Sequence, residues 1–384
     1  MKRRVCVVIT ARPSYSRIRS VLSAIRAHPQ LELQVVVAAS ALLDRYGTAV
    51  RYIEADGFEI TARVYMVLEG ENLATMAKTT GLGLMELATV FDNLKPDVVV
   101  TIADRYETLA TAVAAAYMNI PLAHMIGGEV TGSIDEKVRH AVTKLADLHF
   151  VATKQAAERV IRLGEAPATV FCTGCPSIDL AAEILREPAL NFDPFEKYGG
   201  VGVPIDLADG YLVVIQHPVT TEHAQARQQV LETLQAVHDL GLPALWFWPN
   251  VDAGSDGTSR GIRAFRETVR DLRIHFFKNM APDDFLRLIY SSRCVVGNSS
   301  VAIRECSFLG LPAVDIGTRQ AGRERGRNVI DVGYDRHEIA QAVRYHLRNG
   351  RLPRDPLYGD GRAGARIADL LAHVPLRIEK RITF

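Results

Sequence analysis

Cysteine is scarce in this chain, five residues among 384, at positions 6, 172, 175, 294 and 306, which excludes the disulfide framework of a small secreted fold. Long apolar runs are missing too. No stretch approaches the roughly 18 residues that a membrane span requires. Met1-Lys-Arg-Arg4 opens like a signal peptide, but the short run Val5–Ile9 that follows breaks at Thr10-Ala-Arg-Pro13. That run reads as a first strand, and the expected compartment is the cytoplasm. Surplus charge is absent: 45 Lys plus Arg stand against 44 Asp plus Glu, a formal net charge of +1. Such a balance excludes nucleic-acid or membrane-surface binding by bulk charge, so any anion site must be local. The first strand is followed by neither Gly-x-Gly-x-x-Gly nor Gly-x-x-x-x-Gly-Lys-Ser/Thr, so it opens neither a dinucleotide fingerprint nor a P-loop. Cys172-Thr-Gly-Cys175 has redox or metal spacing, yet with Pro176 behind it and no second Cys/His pair of matching spacing it reads as an inert loop. No metal or other cofactor is expected.

What is present is an alternation. Short runs rich in Val and Ile recur at Val5–Ile9, Leu33–Val37, Val98–Ile102, Leu122–Ile126, Leu148–Ala152 and Val170–Cys172, with longer helical patterns between them. A second series follows at Tyr211–Ile215, Ala244–Trp248, Ile274–Phe277, Cys294–Gly297 and Ala313–Ile316. Continuous apolar strands alternating with helices indicate parallel sheets covered on both faces. The length also exceeds what a single core supports. The expected fold is therefore α/β, with two doubly wound Rossmann-like domains facing across a cleft. The Pro/Gly-punctuated stretch 188–204 reads as a linker with little regular structure. The expected domains are 1–187 and 205–365, with 366–384 as a C-terminal segment packing back on the first.

In open parallel sheets ligands bind beyond the carboxyl ends of the strands, and each polar cluster of this sequence follows a predicted strand. The most informative is Val295-Val-Gly-Asn-Ser-Ser-Val-Ala-Ile-Arg-Glu305. A strand running into a helix that opens with Ser299 and Ser300 offers free amides and hydroxyls to a phosphate. Glu305, on the expected second helical turn, is placed to accept from a ribose diol. Asn298 and Ser299 are also ordinary helix caps. After the first strand, Thr10-Ala-Arg-Pro-Ser-Tyr-Ser-Arg17 forms an anion-binding turn ahead of a helix over Ile18–Arg26. Asp104 and Glu129 fall at the carboxyl edges of neighbouring strands, where paired carboxylates suit general acid/base work. Ser133 and Glu136 have capping-box spacing, so a helix should begin at Ile134. Asp135 and Arg139 then stand four apart, where they pair or where Asp135 offsets the helix dipole. His217 follows a strand in Gln216-His-Pro-Val-Thr-Thr221, able to carry charge or a proton. The loop 316–329 carries Arg319, Arg323, Arg325 and Arg327, one of which should face the phosphates.

With these residues in view the chain resembles the UDP-N-acetylglucosamine 2-epimerases, and most closely their hydrolysing branch, which opens sialic acid biosynthesis. The resemblance runs from Ala11-Arg-Pro-Ser-Tyr-Ser-Arg17 to Tyr358-Gly-Asp-Gly-Arg-Ala363. It rests on Asp104-Arg105, Gly127-Gly-Glu-Val-Thr-Gly-Ser-Ile-Asp-Glu136 with Arg139-His140, Gln216-His-Pro-Val-Thr-Thr221, Pro249-Asn-Val-Asp-Ala-Gly254, Gly297-Asn-Ser-Ser300 and Gly317-Thr-Arg-Gln320. It implies a glycosyltransferase-B-like fold and a UDP moiety held by Arg12, Ser16, Arg17, Arg105, His217, Asn250, Met280, Ser299, Ser300, Glu305 and Arg319. It also implies sugar-side chemistry by Asp104, Glu129, Asp135 and Arg139, with His217 assisting, and a homodimer or homotetramer. Two positions depart from relatives: Ala103 stands where Gly is common, and Ile126 where Glu is common. The second change removes a carboxylate and places more weight on Glu129.

The chemistry implied is difficult, because the hydrogen on C2 of an N-acetylhexosamine lies beside no carbonyl. If the bond from C1 to phosphate breaks first, the developing oxocarbenium ion acidifies that hydrogen and a carboxylate removes it. Non-hydrolysing epimerisation, a sugar transferase of the same fold and a silent nucleotide-sugar sensor are the alternatives. The substituent at C4 of the sugar is not legible.

Overall fold

The computed structural model describes residues 2–44, 48–69, 73–130, 134–249 and 254–383. The chain divides into two units, one built from residues up to Glu129, 134–180 and 358 onward, the other containing 181–357. The first holds a seven-stranded sheet in the order β3-β2-β1-β4-β5-β6-β7, all parallel. Its strands are β1 (Arg3–Ile9), β2 (Leu31–Ala38), β3 (Ala62–Val64), β4 (Val98–Ile102), β5 (Leu122–Met125), β6 (Leu148–Val151) and β7 (Val170–Cys172). The second holds six parallel strands in the order β10-β9-β8-β11-β12-β13. They are β8 (Leu212–Ile215), β9 (Ala244–Phe247), β10 (Ile274–Phe277), β11 (Cys294–Gly297), β12 (Ala313–Ile316) and β13 (Val329–Val332).

Both sheets are doubly wound, the expected fold class, and burial explains why the sequence announced them. β4, β5, β6 and β8 to β12 are buried at every position, so each reads as a predominantly apolar run with at most one polar residue. The edge strands β3, of three residues, and β13, nowhere fully buried, were not among the expected strands, although the equally short and half-exposed β7 was. Within the supposed linker, Asp193 caps one turn of helix at Pro194–Tyr198, where little regular structure was expected.

Each sheet is covered by its own helices. In the first unit Cys6, Val8, Val36, Val99 and Leu122 pack with Leu87, Phe91, Ala110 and Ala114 from the helices Leu73–Leu94 and Tyr106–Tyr117. In the second, Val214, Trp246, Phe276, Val296 and Val314 pack with Val230, Leu234, Ile339 and Val343 from the helices Ala226–Asp239 and Arg336–Asn349. Each such fully buried aliphatic or aromatic side chain contributes about 1.5–3 kcal/mol. Among the described residues no helix is long and apolar enough to cross a membrane.

The C-terminal residues rejoin the first unit. Gly359-Asp-Gly-Arg-Ala-Gly364 has the spacing of a dinucleotide fingerprint, but a carboxylate already occupies the start of its helix. Asp179 accepts from the Ala363 and Gly364 amides at 2.9 and 2.7 Å. Gly364 is needed for packing: a Cβ there would lie 2.7 Å from the Ser20 carbonyl carbon. At the end of this helix, Arg3 donates to the carbonyls of Leu371 and Val374. Thr383 then bonds Gly164 and Glu165 through its amide and hydroxyl.

Lys380 anchors this tail to a buried carboxylate. Its ammonium lies 2.6 Å from Glu165, which also receives Lys144 at 2.6 Å and the Nε2 of His149 at 3.0 Å. Burial works to raise the Glu165 pKa, but the bonds from His149, Lys144 and Lys380 outweigh it and hold the value at about 2. A carboxylate depressed in the folded state stabilises fully above its unfolded pKa of about 4.3 and loses that contribution as pH falls toward the folded value. Lys380→Met therefore lowers the urea-unfolding free energy at pH 7 by about 1–3 kcal/mol. The gap from wild type narrows between pH 4 and pH 2. A gap that stays constant over that range would show that the tail is held by packing alone.

Candidate active site

The strand order places the switch point of the first sheet between β1 and β4, and that of the second between β8 and β11. Crevices at such points are the usual ligand sites of doubly wound sheets.

In the first unit β4 and β5 end in the same way. Ala103 donates its amide to Met125 O at 3.0 Å and Ile126 donates to Phe150 O at 2.8 Å, extending each ladder by one bond. Both residues then take left-handed backbone, at φ 64° each. Such a conformation costs a non-glycine residue on the order of 1–3 kcal/mol and is rarest for a β-branched one. The Gly implied by the resemblance at position 103 is the residue that this φ favours. Gly128 follows at φ 73°, where a Cβ would lie 2.2 Å from Ala156 O, so only glycine fits. The two turns carry Asp104 and Glu129 on the carboxyl edges of neighbouring strands.

Arg139 joins them. It is 1% exposed and lies on the helix Ile134–Leu145, which begins where expected. Nη2 donates to the Asp104 carboxylate, while Nη1 donates to Glu129 O at 2.8 Å and to Glu136 Oε2 at 2.7 Å. A guanidinium with five donors can bind several acceptors in fixed geometry, and burial makes losing any of them costly. Glu136, read from the sequence as half of a capping box, thus belongs to this cluster, while its supposed partner Ser133 lies outside the described residues. Asp135 stands half-buried on the first turn of the same helix.

Beside them, Arg105 donates through Nε and Nη2 to the two oxygens of buried Glu107, at 3.2 and 3.3 Å. The helix after β1 spans Arg12–Ala27 rather than starting at Ile18. Pro13 sits in its first turn, where the fixed φ of proline is preorganised for a helix. Ser16 and Arg17 are accordingly helical, and Ser16 Oγ donates to Pro13 O at 3.1 Å. The Arg12 side chain lies outside the described residues.

In the second unit the organising residue is Asn298. Its amide donates to Ile215 O at 3.0 Å, its Nδ2 donates to His217 O at 2.8 Å, and its Oδ1 accepts from His217 N at 2.8 Å. Its carbonyl accepts from Gln320 Nε2 at 2.8 Å and Arg319 Nη1 at 3.2 Å. One buried amide thus ties together the loops after β8, β11 and β12. Asn298 is not the helix cap; Ser299 is, accepting from Val301 N at 3.4 Å. The helix expected to carry Glu305 on its second turn breaks at Arg304, so Glu305 opens a separate helix, Glu305–Leu309. Its Oε2 is buried and meets no donor among the described residues. Gly297 approaches β8 so closely that a Cβ would meet Ile215 O at 2.1 Å.

Of the loop arginines, Arg319 is bonded to the Asn298 carbonyl. Arg325 is taken by Asp315 and Asp331, at 3.0 and 2.7 Å, and Arg327 is exposed. Burial raises Asp315 to a pKa of about 7, against the pull of Arg325. Met280, after β10, is 4% exposed, and its amide donates to Asn279 Oδ1 at 2.8 Å. Asn250 lies outside the described residues. Among the described residues no group of three or more His, Cys, Asp or Glu is placed to hold a metal ion. Cys172 is exposed and Cys175 is buried, its Sγ 3.2 Å from Ser177 Oγ.

The sequence pattern of the family described as UDP-N-acetylglucosamine 2-epimerase matches residues 23–372. The chain is 34% identical over 377 residues to a hydrolysing UDP-N,N'-diacetylbacillosamine 2-epimerase of Legionella pneumophila, covering 98% of this chain and 97% of that one. It is 30% identical over 335 residues to a hydrolysing GDP/UDP-N,N'-diacetylbacillosamine 2-epimerase of Campylobacter jejuni, covering 86% and 84%. The fold is similar to the crystal structure of UDP-GlcNAc 2-epimerase from Neisseria meningitidis bound to UDP-GlcNAc. That match has a TM-score of 0.80 and 17% identity, covering 96% of this chain and 99% of that one.

The left-handed turn at residue 103 has a direct consequence for stability. Ala103→Gly removes the clash of Cβ with its own backbone, and should raise the unfolding free energy by up to about 1 kcal/mol once the greater freedom of unfolded glycine is discounted. Urea midpoints of the two proteins measure it. A loss of stability would mean that residue 103 does not hold positive φ in solution.

Proposed function

Because the chain belongs to the UDP-N-acetylglucosamine 2-epimerase family, we propose that it is a hydrolysing member. In this reading it converts UDP-GlcNAc, or a 4-acetamido-6-deoxy analogue, and water to UDP and the free 2-epimeric sugar. The observation that carries the proposal is the cluster in which buried Arg139 holds Asp104 and the backbone of Glu129 together at the ends of β4 and β5. Two acidic residues on turns at neighbouring strand ends, with Glu129 5% exposed, suit removal and return of a proton at one carbon. The hydrolysing outcome is favoured by the likeness to the Legionella and Campylobacter enzymes.

The reaction runs in two stages. The bond from C1 to the diphosphate breaks, its electron pair leaves with UDP, and a carboxylate takes the C2 proton as the C1=C2 bond of a glycal forms. Water then delivers hydroxide to C1 while a proton returns to C2 from the opposite face. The first stage needs positive charge around the departing diphosphate, supplied by Arg12, Arg105, Arg319 and His217 and by the amides and hydroxyls at Ser299 and Ser300. Ser16, Arg17, Asn250 and Met280 complete the UDP contacts, and the donor-free Oε2 of Glu305 accepts from the ribose. Asp104 and Glu129 act as acid and base at the sugar, with Asp135 as a second acid/base or orienting group.

Incubation with each UDP-sugar in deuterated water, followed by NMR, tests the reading. The expected product is a free 2-epimeric sugar deuterated at C2. Persistent UDP-ManNAc would mean non-hydrolysing epimerisation, and product protonated at C2 would rule out the glycal route.

Two substitutions separate chemistry from binding. Glu129→Gln keeps size and hydrogen bonding but accepts no proton, and lowers kcat by about a hundredfold or more with UDP affinity nearly unchanged. Glu305→Ala removes a contact present in ground and transition states alike, so it raises KM and weakens UDP binding by about tenfold at near-constant kcat. Calorimetric titration with UDP beside steady-state kinetics distinguishes the two patterns. Loss of UDP binding in Glu129→Gln would move that residue out of the acid/base role.

A further inference from the structure

β5 reads Leu122-Ala-His-Met125, and His124 is its only polar residue. It is fully buried, in a place where an imidazole is costly unless both nitrogens are satisfied. Both are. Nε2 lies 2.9 Å from Ala103 O and Nδ1 lies 3.1 Å from the hydroxyl of fully buried Thr143. A carbonyl only accepts, so Nε2 carries the proton, Nδ1 is the acceptor, and Thr143 donates to it. The tautomer follows from the neighbours.

We propose that His124 is a positioning residue for Asp104, a role that rests on reading Asp104 as an acid/base group of the epimerase reaction. The peptide that His124 grips joins left-handed Ala103 to Asp104, so its hydrogen bond sets the plane from which the Asp104 side chain departs. On the other side of the same residue, Arg139 grips the Asp104 carboxylate. Thr143 and Arg139 lie four residues apart on one helix, and side chains at that spacing share a face. The contacts therefore form a closed ring: Asp104 to Arg139, along the helix to Thr143, to His124, to Ala103 and back to Asp104. Gly127 belongs to the same arrangement, since a Cβ there would lie 3.1 Å from His124 Nδ1. The one imidazole thus lies under both turns that present the carboxylates.

The ring works only if the imidazole stays neutral, since a second ring proton would face the Thr143 hydroxyl and remove its acceptor. Burial pushes the His124 pKa down to about 4. The bond to Ala103 opposes this shift, and His149 and Lys380 reinforce it. At neutral pH the clamp is therefore constant.

The test compares His124→Leu, which abolishes the donor, with His124→Gln, whose amide nitrogen can reach the same carbonyl. Active sites are counted by UDP titration. His124→Leu is expected to lower kcat per UDP-binding site by about ten- to a hundredfold, the scale of a misplacement of roughly 1 Å. KM should stay within about threefold, and His124→Gln should recover most of the loss. An unchanged kcat per site in His124→Leu, or equal loss in both variants, overturns the proposal. If His124→Leu does not fold, Thr143→Val takes its place, with the same selective loss of kcat expected and an unchanged kcat again decisive against. If wild type turns over no UDP-sugar, it is the functional reading that fails. The clamp is then judged from the ¹⁵N spectrum of histidine-labelled protein. A buried ring protonated at Nε2 and neutral at pH 5 supports it, and a ring titrating with an ordinary pKa of about 6.5 overturns it.

Discussion

The buried guanidinium of Arg139 is the interaction on which the arrangement of the first unit depends. A charge removed from water is tolerable only when its donors are met by acceptors of good geometry, so the acceptors must stay where the folded chain puts them. Here they come from three places: the Asp104 carboxylate after β4, the Glu129 carbonyl after β5, and Glu136 one turn back on the arginine's own helix. Displacing any of these segments leaves part of a buried cation without its partner. This penalty offsets the strain of the left-handed residues at the ends of the two strands.

The second unit meets the same requirement with a neutral group. Asn298 reproduces with its side chain the donor and acceptor pair of a strand backbone, and so extends the contact between β8 and β11 past the end of both. Its main-chain carbonyl then collects Gln320 and Arg319 from the next loop. An amide needs no counter-charge. Asn298 thus gathers these loops without a carboxylate, whereas Arg325, deeper in its loop, is bound by Asp315 and Asp331.

Strain and order coincide in this molecule. Ala103 and Ile126 occupy a conformation that neither side chain favours, at successive strand ends, and beneath them a fully buried histidine bonds the Ala103 carbonyl and the hydroxyl of a fully buried threonine. Strain of this kind persists where surrounding contacts over-determine it. The C-terminal tail adds to that determination from outside, because Lys380 bonds the carbonyls of Thr143 and Ala146 at the end of the helix that carries Arg139 and Thr143.

Local patterns along the chain were enough for the buried strands and their ends. Apolar runs of four and five residues announced the buried strands, and the polar residues directly behind them announced Asp104, Glu129, His217 and Ser299 as strand-end residues. Half-exposed edge strands leave a weaker run, from which β7 was read and β3 and β13 were not. Helix limits failed where a single residue overrode the pattern: Pro13 started one helix early and Arg304 broke another. Only the tertiary structure decided the pairings. Arg139 finds Asp104 across 35 residues, His124 finds Ala103 across 21, and Asn298 finds His217 across 81. These distances close because β4 lies beside β5 and β8 beside β11. That strand order results from helices packing on both faces of each sheet, and no window of neighbouring residues contains it.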